Sequence, residues 1–345
     1  MSSTPPSRRA VLRLIPPLAL AGLAARPGLA QVDVPLRVGF ISIMPMTQLF
    51  VIEGERWARN SGLDLILKRF SSGPPMVDAL AAGDLDVAYI GIGPAMVART
   101  RGIDVKVVAA NVVEQVALIG RGALVGAFEA AATPAEAFRK FREQNGRPAR
   151  IATLPPGAVP DTVLRYYLRD VGKLDGLIDI LGVGEDEVQR LLLAGVVDAA
   201  SIVEPILTIA REHDRSARIL AKPSQMLPNH PGAVVLVRRS VIRDNRKAVA
   251  QLVTLHVRAT AFVRADLDRA TTDVVEFLGR GLSEPAVVRK ALTSDATNLI
   301  ADPHLIVEPT RVLQAFQRSL GAQPASIDVD ALFDFSFYDA VAPRR

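Results

Sequence analysis

The chain has no cysteine among its 345 residues, and its four histidines are scattered. The lack of cysteine excludes disulfides, thiol nucleophiles and cysteine-bound metal sites. His213, His230, His256 and His304 form no H-x-x-H or H-E-x-x-H spacing, so we expect no metal site and no cofactor. A G-x-S-x-G nucleophile motif and a complete G-x-G-x-x-G dinucleotide motif are also missing. These absences favour a protein that binds a small molecule over an enzyme.

The N-terminus carries the pattern of a twin-arginine export signal. Ser7-Arg8-Arg9-Ala10-Val11-Leu12-Arg13 is close to S-R-R-x-F-L-K, and an apolar run then leads to the small residues Gly28-Leu29-Ala30. The run is too short to span a bilayer, so we predict that residues 1–30 are a removable signal peptide. Removing them lowers the formal charge from +5 to +1, because four arginines and no acid are lost. We therefore expect a periplasmic protein, exported by the twin-arginine machinery, not lipid-anchored and not bound to nucleic acid.

One pattern, L-x-A-G-x-x-D-x-A, occurs twice. The first copy is Leu80–Ala88 and the second is Leu192–Ala200, about 110 residues later. In each copy the glycine is typical of a residue that ends a helix, and the short apolar run after the aspartate is typical of a buried strand. Two copies predict two similar α/β lobes, and the cleft between two lobes is a common place for a small ligand.

Apolar strands and amphipathic helices alternate over most of the chain, which predicts mostly parallel sheets covered by helices. Two short apolar strands, Val116–Gly120 and Ala233–Val237, lie outside the alternation, and we place the crossings between the lobes just before them. The resulting assignment is residues 34–112 and 233–345 to lobe 1 and residues 113–232 to lobe 2.

Three further segments have weaker or different patterns. Met46–Asn60 is predicted to be one helix, because its apolar residues recur at helical spacing. Residues 122–137 are rich in alanine and weakly patterned, which indicates an irregular excursion. From Val241 onward the pattern is mostly helical and predicts a helical C-terminal extension.

The segments 36–40, 69–74, 79–88, 91–94 and 102–109 resemble the solute-binding proteins of ABC importers for nitrate, sulfonate and taurine. That family also takes in binders of pyrimidine precursors of thiamine. The resemblance extends over nearly all of the chain beyond residue 30. It implies a periplasmic-binding-protein-like (type II) α/β fold, with two lobes joined by a two-crossing hinge that closes on the ligand. It also implies delivery of the ligand to a permease and an ATPase in the inner membrane.

Five loops lie beyond the carboxyl ends of predicted strands and before helices, where backbone N–H groups suit anions. They are 42–47, 71–75, 91–94, 154–161 and 203–205, and none of them contains lysine or arginine. An anion would therefore be held by neutral donors and helix dipoles.

Several candidate site residues have two interpretations each. Ser71 and Ser72 either donate to a ligand or simply cap a helix. Glu204 either pairs with a ligand cation or settles at a helix N-terminus. Asn111 and His230 either contact the ligand or satisfy backbone groups near the crossings. The predicted ligand-binding residues are Met44, Pro45, Ser71, Ser72, Gly73, Gly91, Gly93, Pro94, Asn111, Gly157, Ala158, Val159, Glu204 and His230.

The sequence as a whole predicts a monomeric, periplasmic substrate-binding component of an ABC importer. Its ligand is expected to be a small organic acid or oxoanion of the sulfonate, taurine or nitrate type. Two alternatives stay open: a cysteine-free enzyme of the same fold acting on a chorismate-derived acid, and a binder of an aminopyrimidine precursor of thiamine. The residues do not choose the ligand or its charge.

Overall fold

The computed structural model describes residues 1–2, 34–172, 174, 176–278 and 284–342. Residues 3–30 of the predicted export signal thus lie outside the described residues. The strands are β1 (Val34–Phe40), β2 (Leu63–Arg69), β3 (Val87–Gly91), β4 (Val105–Ala110), β5 (Val112–Val113), β6 (Ala117–Gly120), β7 (Ala149–Thr153), β8 (Ile178–Gly182), β9 (Ala199–Ile202), β10 (Arg218–Ala221), β11 (Ala233–Arg238) and β12 (Asn298–Leu299).

Helices cover both sheets, and short 3-10 turns occur at Met44–Met46, Pro303–Ile306 and Asp330–Leu332. Among the described residues, no helix is long and apolar enough to cross a membrane. The α-helices are α1 (Thr47–Gly54), α2 (Trp57–Asn60), α3 (Gly73–Ala82), α4 (Ile92–Thr100), α5 (Gly122–Glu129), α6 (Pro134–Asn145), α7 (Val159–Val171), α8 (Glu185–Leu193), α9 (Ile206–His213), α10 (Pro223–Met226), α11 (Arg239–Asp244), α12 (Arg246–Ala265), α13 (Leu267–Leu278), α14 (Pro285–Leu292), α15 (Val307–Ser319) and α16 (Ser336–Asp339).

The two five-stranded sheets formed by the described residues have the same strand order. The first sheet runs β2-β1-β3-β11-β4, and the second runs β8-β7-β9-β6-β10. In each sheet one strand, β11 or β6, is antiparallel to both of its neighbours, and the remaining strands point the other way. These are the two strands that the sequence places outside the alternation. The predicted α/β architecture of two similar halves is confirmed.

The first sheet takes its strands from 34–110 and 233–238, and the second from 117–221. We propose on this basis that the lobes have the predicted bounds, 34–112 with 233–345 for lobe 1 and 113–232 for lobe 2. The C-terminal helices contact both halves, since α14 packs against α9 and α15 packs against both α4 and α7.

The repeated sequence pattern has the same structure in both copies. Helix α3 ends at Ala82 and α8 ends at Leu193, and the following Gly83 and Gly195 have φ angles of 81° and 70°. This left-handed conformation suits glycine and ends the helix. Strands β3 and β9 begin directly after the repeated aspartate.

The repeated aspartate ties its strand to the neighbouring parallel strand. The N–H of Asp86 donates to the carbonyl of Arg37 at 2.9 Å, and its carboxylate accepts the N–H of Arg37 at 2.9 Å. Asp198 makes the same two bonds to Arg150, both at 2.9 Å. In each copy a guanidinium also donates to the aspartate, Arg37 to Asp86 and Arg147 to Asp198. We call each set of bonds around the repeated aspartate an aspartate clamp. Burial opposes ionisation of Asp86, but the hydrogen bonds from Arg37 lower the pKa of this carboxyl.

Two expectations about local structure were wrong. The helix predicted over Met46–Asn60 is divided into α1 and α2, because Arg56 between them has a left-handed φ of 55°. The stretch 122–137, predicted to be an irregular excursion, is helical over Gly122–Glu129 as α5. Alanine has high helix propensity, and the buried Leu124 and Val125 give α5 an apolar face that a weak periodicity hides.

The aspartate clamps predict a stability effect that is the same in both halves. Asp86→Ala and Asp198→Ala should each lower the free energy of unfolding by about 1–2 kcal/mol, since a backbone N–H and a half-exposed guanidinium lose their partner. Asp84→Ala, an exposed change two residues before the first clamp, should cost less than about 0.5 kcal/mol. Urea unfolding of the three variants measures this. Equal losses for Asp84→Ala and Asp86→Ala would show that the clamp contributes nothing.

Candidate ligand-binding cleft

A small cavity lies where the carboxyl ends of strands from the two sheets face each other. Ile41 and Ile43 follow β1, Gly91 ends β3, and Leu154 and Val203 follow β7 and β9. The cavity encloses about 20 Å³, which is room for about one water molecule. Its wall is almost entirely apolar. The lining residues are Ile41, Ile43, Met46, Gly73, Gly91, Pro94, Gln115, Leu154, Ala158, Val159, Pro160, Val203 and Ala233.

Three helices begin at this cavity. Their N-cap residues are Ser72 for α3, Gly91 for α4 and Ala158 for α7, and none of the three makes a side-chain capping hydrogen bond. The positive ends of three helix dipoles therefore point toward one apolar space. Such an arrangement favours a negatively charged group there.

Gln115 is an unmatched polar group in this wall. Among the described residues that line the cavity, it alone has a polar side chain. It is 3% exposed, and its Oε1 has no hydrogen-bond partner. A side-chain amide offers both a donor and an acceptor, so it can meet an anionic or a neutral ligand. The sequence analysis missed Gln115; the signal was a polar residue between a predicted crossing and an apolar strand.

Backbone hydrogen bonds join the two halves beside the cavity. The N–H of Met44 donates to the carbonyl of Glu204 at 3.0 Å, and the N–H of Glu185 donates to the carbonyl of Ser71 at 3.0 Å. These bonds hold loop 42–47 and loop 71–75 of the first half against the second half. The structure therefore presents the closed arrangement of the cleft.

A glycine allows the closest approach between the halves. A Cβ atom on Gly93 would lie 2.6 Å from the carbonyl oxygen of Gly157 and 2.5 Å from Nε2 of Gln317. That same Nε2 donates to the carbonyl of Gly157 at 3.0 Å and to Oγ1 of Thr162 at 3.0 Å. Any side chain at position 93 would separate these groups.

A cation stands at the rim of the cleft rather than inside it. The Arg69 guanidinium donates to Oγ of Ser42 at 2.8 Å and to Asp186 at 2.6 Å, and it lies 3.5 Å from Glu185. Burial raises the pKa of Glu185 to about 8, and the neighbouring Asp186 adds to this rise while Arg69 opposes it. Arg69 is the last residue of β2 and lies outside every predicted loop, so it was not among the predicted site residues.

The predicted site residues divide into two sets. Gly73, Gly91, Pro94, Ala158 and Val159 come together around the cavity. The others do not line it, although Met44, Ser71, Gly93 and Gly157 contribute to the contacts beside it. Their contact with a ligand stays a prediction. The predicted residues outside the lining are Met44, Pro45, Ser71, Ser72, Gly93, Asn111, Gly157, Glu204 and His230.

The Glu204 carboxylate is hydrogen-bonded to the first turn of α9. It accepts the N–H of Thr208 at 2.9 Å and the Thr208 hydroxyl at 2.9 Å. The residue is 2% exposed, and burial raises the pKa of the carboxyl. Its side chain borders a different pocket, of about 450 Å³, next to α9 and Ser294. The geometry corresponds to the helix-terminus interpretation of this residue.

His230 and Asn111 satisfy backbone groups at the crossings. Nε2 of His230 accepts the N–H groups of Gln115 at 2.9 Å and Val116 at 3.1 Å, so the proton is on Nδ1, which donates to the carbonyl of Leu227 at 2.7 Å. Burial lowers the pKa of His230 to about 4, and the ring is neutral. Asn111 donates from Nδ2 to the carbonyl of Pro45 at 3.0 Å.

No metal centre is formed within the described part of the chain, where no group of three or more histidine, aspartate or glutamate side chains can hold an ion.

Two α/β halves of one strand order, closed on a cavity at their strand ends, define a periplasmic-binding-protein-like fold. The chain belongs to the NMT1-like family, whose sequence model matches residues 30–278. The predicted resemblance and the predicted fold class are both confirmed.

Known proteins agree with this assignment. A protein of Brucella abortus (strain 2308), named as a candidate binding protein, is 28% identical over 278 residues, which are 78% of this chain and 81% of that protein. The alkanesulfonate-binding protein SsuA from Xanthomonas axonopodis pv. citri, bound to MOPS, has a TM-score of 0.71 at 18% identity and covers 88% of this chain and 98% of its own. The periplasmic nitrate-binding protein NrtA from Synechocystis PCC 6803 has a TM-score of 0.72 at 15% identity and covers 90% of this chain and 88% of its own.

The neutral crossing histidine predicts a pH dependence of stability. The folded pKa of His230 is about 4, below its usual value of 6.5, so the unfolded chain binds more protons between these values. Stability from this group is complete above pH 6.5 and is lost as the pH falls toward 4, by on the order of 3 kcal/mol.

Urea unfolding at several pH values checks this expectation. His230→Gln should be less stable than the wild type at pH 7, and its stability should fall less between pH 6.5 and 4. His213→Gln, at an exposed position, is the matched control and should follow the wild-type profile. A His230→Gln profile parallel to the wild type would contradict the neutral, buried ring.

Proposed function

We propose that the protein is the substrate-binding component of an ABC importer and captures a small organic anion in the cleft between its two lobes. The observation that carries this proposal is the closed apolar cavity at the N-termini of α3, α4 and α7, with Gln115 in its wall. The helix dipoles supply positive potential, and the apolar wall supplies burial for a hydrocarbon part. The permease and its ATPase are the membrane partners that this function requires.

The chemistry of the wall favours a sulfonate that carries an apolar group. Ile41, Leu154 and Val203 offer nothing to a bare oxoanion such as nitrate, but they bury an alkyl chain. Taurine carries an ammonium group that a carboxylate would pair with, and an aminopyrimidine carries several polar groups that need hydrogen-bond partners. No carboxylate is present among the described lining residues, and their one polar side chain is Gln115. Glu204, the residue considered for that role, is bonded to Thr208 instead. An alkanesulfonate, the kind of ligand named for the SsuA protein, has an alkyl group for the apolar wall and one anionic group for the helix starts, and it needs no carboxylate partner.

Ligand entry requires the cleft to open. A cavity of about 20 Å³ is far smaller than the several hundred Å³ of typical ligand pockets. Opening would break the bonds of Met44 with Glu204 and of Ser71 with Glu185, and bending at the two crossings would separate the lobes as rigid bodies.

The cellular setting follows from the sequence. We propose that residues 1–30 are a twin-arginine signal peptide and that the remaining chain is a monomer, free in the periplasm and not lipid-anchored. We propose no catalytic role, because the cavity wall offers no nucleophile and no acid or base among its described residues.

Thermal unfolding against a panel of solutes tests the proposed ligand class. Hexanesulfonate should raise the midpoint clearly more than nitrate, taurine or an aminopyrimidine does. A ligand at a hundredfold excess over its dissociation constant stabilises by about 2.7 kcal/mol. If only nitrate, or only an amine-bearing solute, gives the shift, the sulfonate assignment is wrong. If no solute of the panel gives one, the proposal of a small-anion receptor fails.

Gln115→Leu separates ligand contact from folding. Replacing the amide should leave the unfolding midpoint unchanged or raise it, because the buried Oε1 has no hydrogen bond to lose. Hexanesulfonate affinity should fall about tenfold with the lost polar contact, equivalent to about 1.4 kcal/mol. Gln323→Leu is the matched control, a buried amide outside the cleft, and should leave affinity unchanged. Equal affinity of Gln115→Leu and the wild type would remove Gln115 from the site.

A further inference from the structure

A further pocket, different from the one beside Glu204, lies at the opposite end of the first sheet from the cleft. Strand β11 connects the two places, since Ala233 lines the cleft cavity and Arg238 lines this pocket. Five residue steps along a strand span roughly 16 Å. The pocket has a volume of about 850 Å³, within the range of small-molecule sites.

The lining of this pocket, which we call the basic pocket, is strongly cationic. Six of the described lining side chains are positive and two, Asp104 and Asp334, are negative. The chain without residues 1–30 has a formal charge of only +1, so this excess is a local concentration of charge. The positive residues are Arg101, Lys106, Arg238, Arg239, Arg243 and Arg246.

Carboxylates pair with three of the six cations and leave the other three without an ion pair. Arg101 pairs with Asp78 at 2.7 Å, Arg239 with Asp104 at 4.0 Å and Arg243 with Asp244 at 2.7 Å. Asp104 also pairs with Arg99, at 3.0 Å. Asp334 accepts hydrogen bonds from the N–H and hydroxyl of Ser336. Within the described chain, no carboxylate forms an ion pair with Lys106, Arg238 or Arg246.

Two of these unpaired cations are held in place by neutral groups. Nζ of Lys106 donates to the carbonyl of Ala331 at 2.5 Å. Arg246 donates to Oγ of Ser336 at 2.8 Å, and its guanidinium lies 4.3 Å from the centre of the Phe337 ring. Burial lowers the pKa of Lys106, and the positive charges of Arg239 and Arg99 lower it further. The pocket thus has positive charge that its own residues leave uncompensated.

We propose that the basic pocket binds a small anion with clustered phosphate groups, such as a diphosphate ester. Guanidinium groups present paired N–H donors that match the oxygens of a phosphate, and several of them converge here. The concave shape and the volume fit a small molecule. The cleft has an apolar wall and no cation in its described lining, so the two sites select different ligands.

Calorimetric titration with inorganic pyrophosphate tests the site at about 150 mM salt, where non-specific attraction is screened. The wild type should bind, and Arg238→Gln with Arg246→Gln should weaken binding about tenfold by removing two guanidinium groups that have no carboxylate partner. Arg238 is half-buried and Arg246 is exposed, so folding should be preserved. If the double variant does not fold, Arg246→Gln alone replaces it and should weaken binding by a smaller factor.

The control variant is Arg139→Gln with Arg215→Gln, which removes the same charge at exposed positions of the other lobe. Its pyrophosphate affinity should equal that of the wild type. Absence of binding by the wild type would overturn the proposal, and so would equal losses in the two double variants, which would indicate net charge alone. Binding to phosphatidylglycerol vesicles without binding of pyrophosphate would also overturn it, since the pocket would then recognise a membrane surface.

Discussion

The backbone that crosses between the two sheets runs through the interior, and its polar groups need partners there. Buried amides and carbonyls that lack partners are costly, so side chains from distant positions must supply them. His230 accepts the N–H groups of Gln115 and Val116, and Nε2 of Gln48 donates to the carbonyl of Asn111 at 2.8 Å. The buried backbone groups of the crossings thus find their partners in neutral polar side chains. This constraint also positions the site, because the segment held by His230 carries Gln115 into the cavity wall.

The repeated aspartate explains why a short pattern in the sequence was informative. The pattern is local: a helix end, a glycine and the aspartate clamp together determine where the next strand begins. Asp86 and Asp198 form this clamp at equivalent places of two sheets with one strand order. The α/β class, the two strands outside the alternation and the helix N-termini around the cleft were predictable for the same reason, since each depends on neighbours in sequence.

The parts that were not predictable depend on long-range packing. Gln115 lies in the cavity because of His230, which is 115 residues away in sequence. Arg69 reaches the rim only because α8 of the other half begins there. Glu204 follows β9 as expected, but its carboxylate turns to Thr208 within its own helix, and local patterning does not determine that choice. Five of the predicted site residues do line the cavity. They could be predicted because glycines, prolines and small residues at helix starts are recognisable in sequence.

The cleft and the basic pocket lie at opposite ends of the first sheet and have different linings, one apolar and one cationic. The carboxyl ends of the sheet's strands meet an apolar space with helix dipoles, and the amino ends meet clustered guanidinium groups. Under the proposed function, the cleft would select its ligand by shape and hydrocarbon burial, with a single anionic group at the helix starts. The basic pocket, as proposed, would select its ligand by charge density.

The central claim is that a small organic anion closes the two lobes on the cleft. Because the chain has no cysteine, Lys68→Cys with Arg190→Cys places two spin labels at exposed positions on opposite lobes without other modification. The distance distribution between the labels, measured with and without hexanesulfonate, tests the claim directly. We predict a longer distance or a broader distribution without the sulfonate. With it we predict a single shorter distance, slightly longer than in the closed structure, because a cavity of about 20 Å³ cannot hold the sulfonate. The same distribution in both conditions, with binding demonstrated, would contradict the claim.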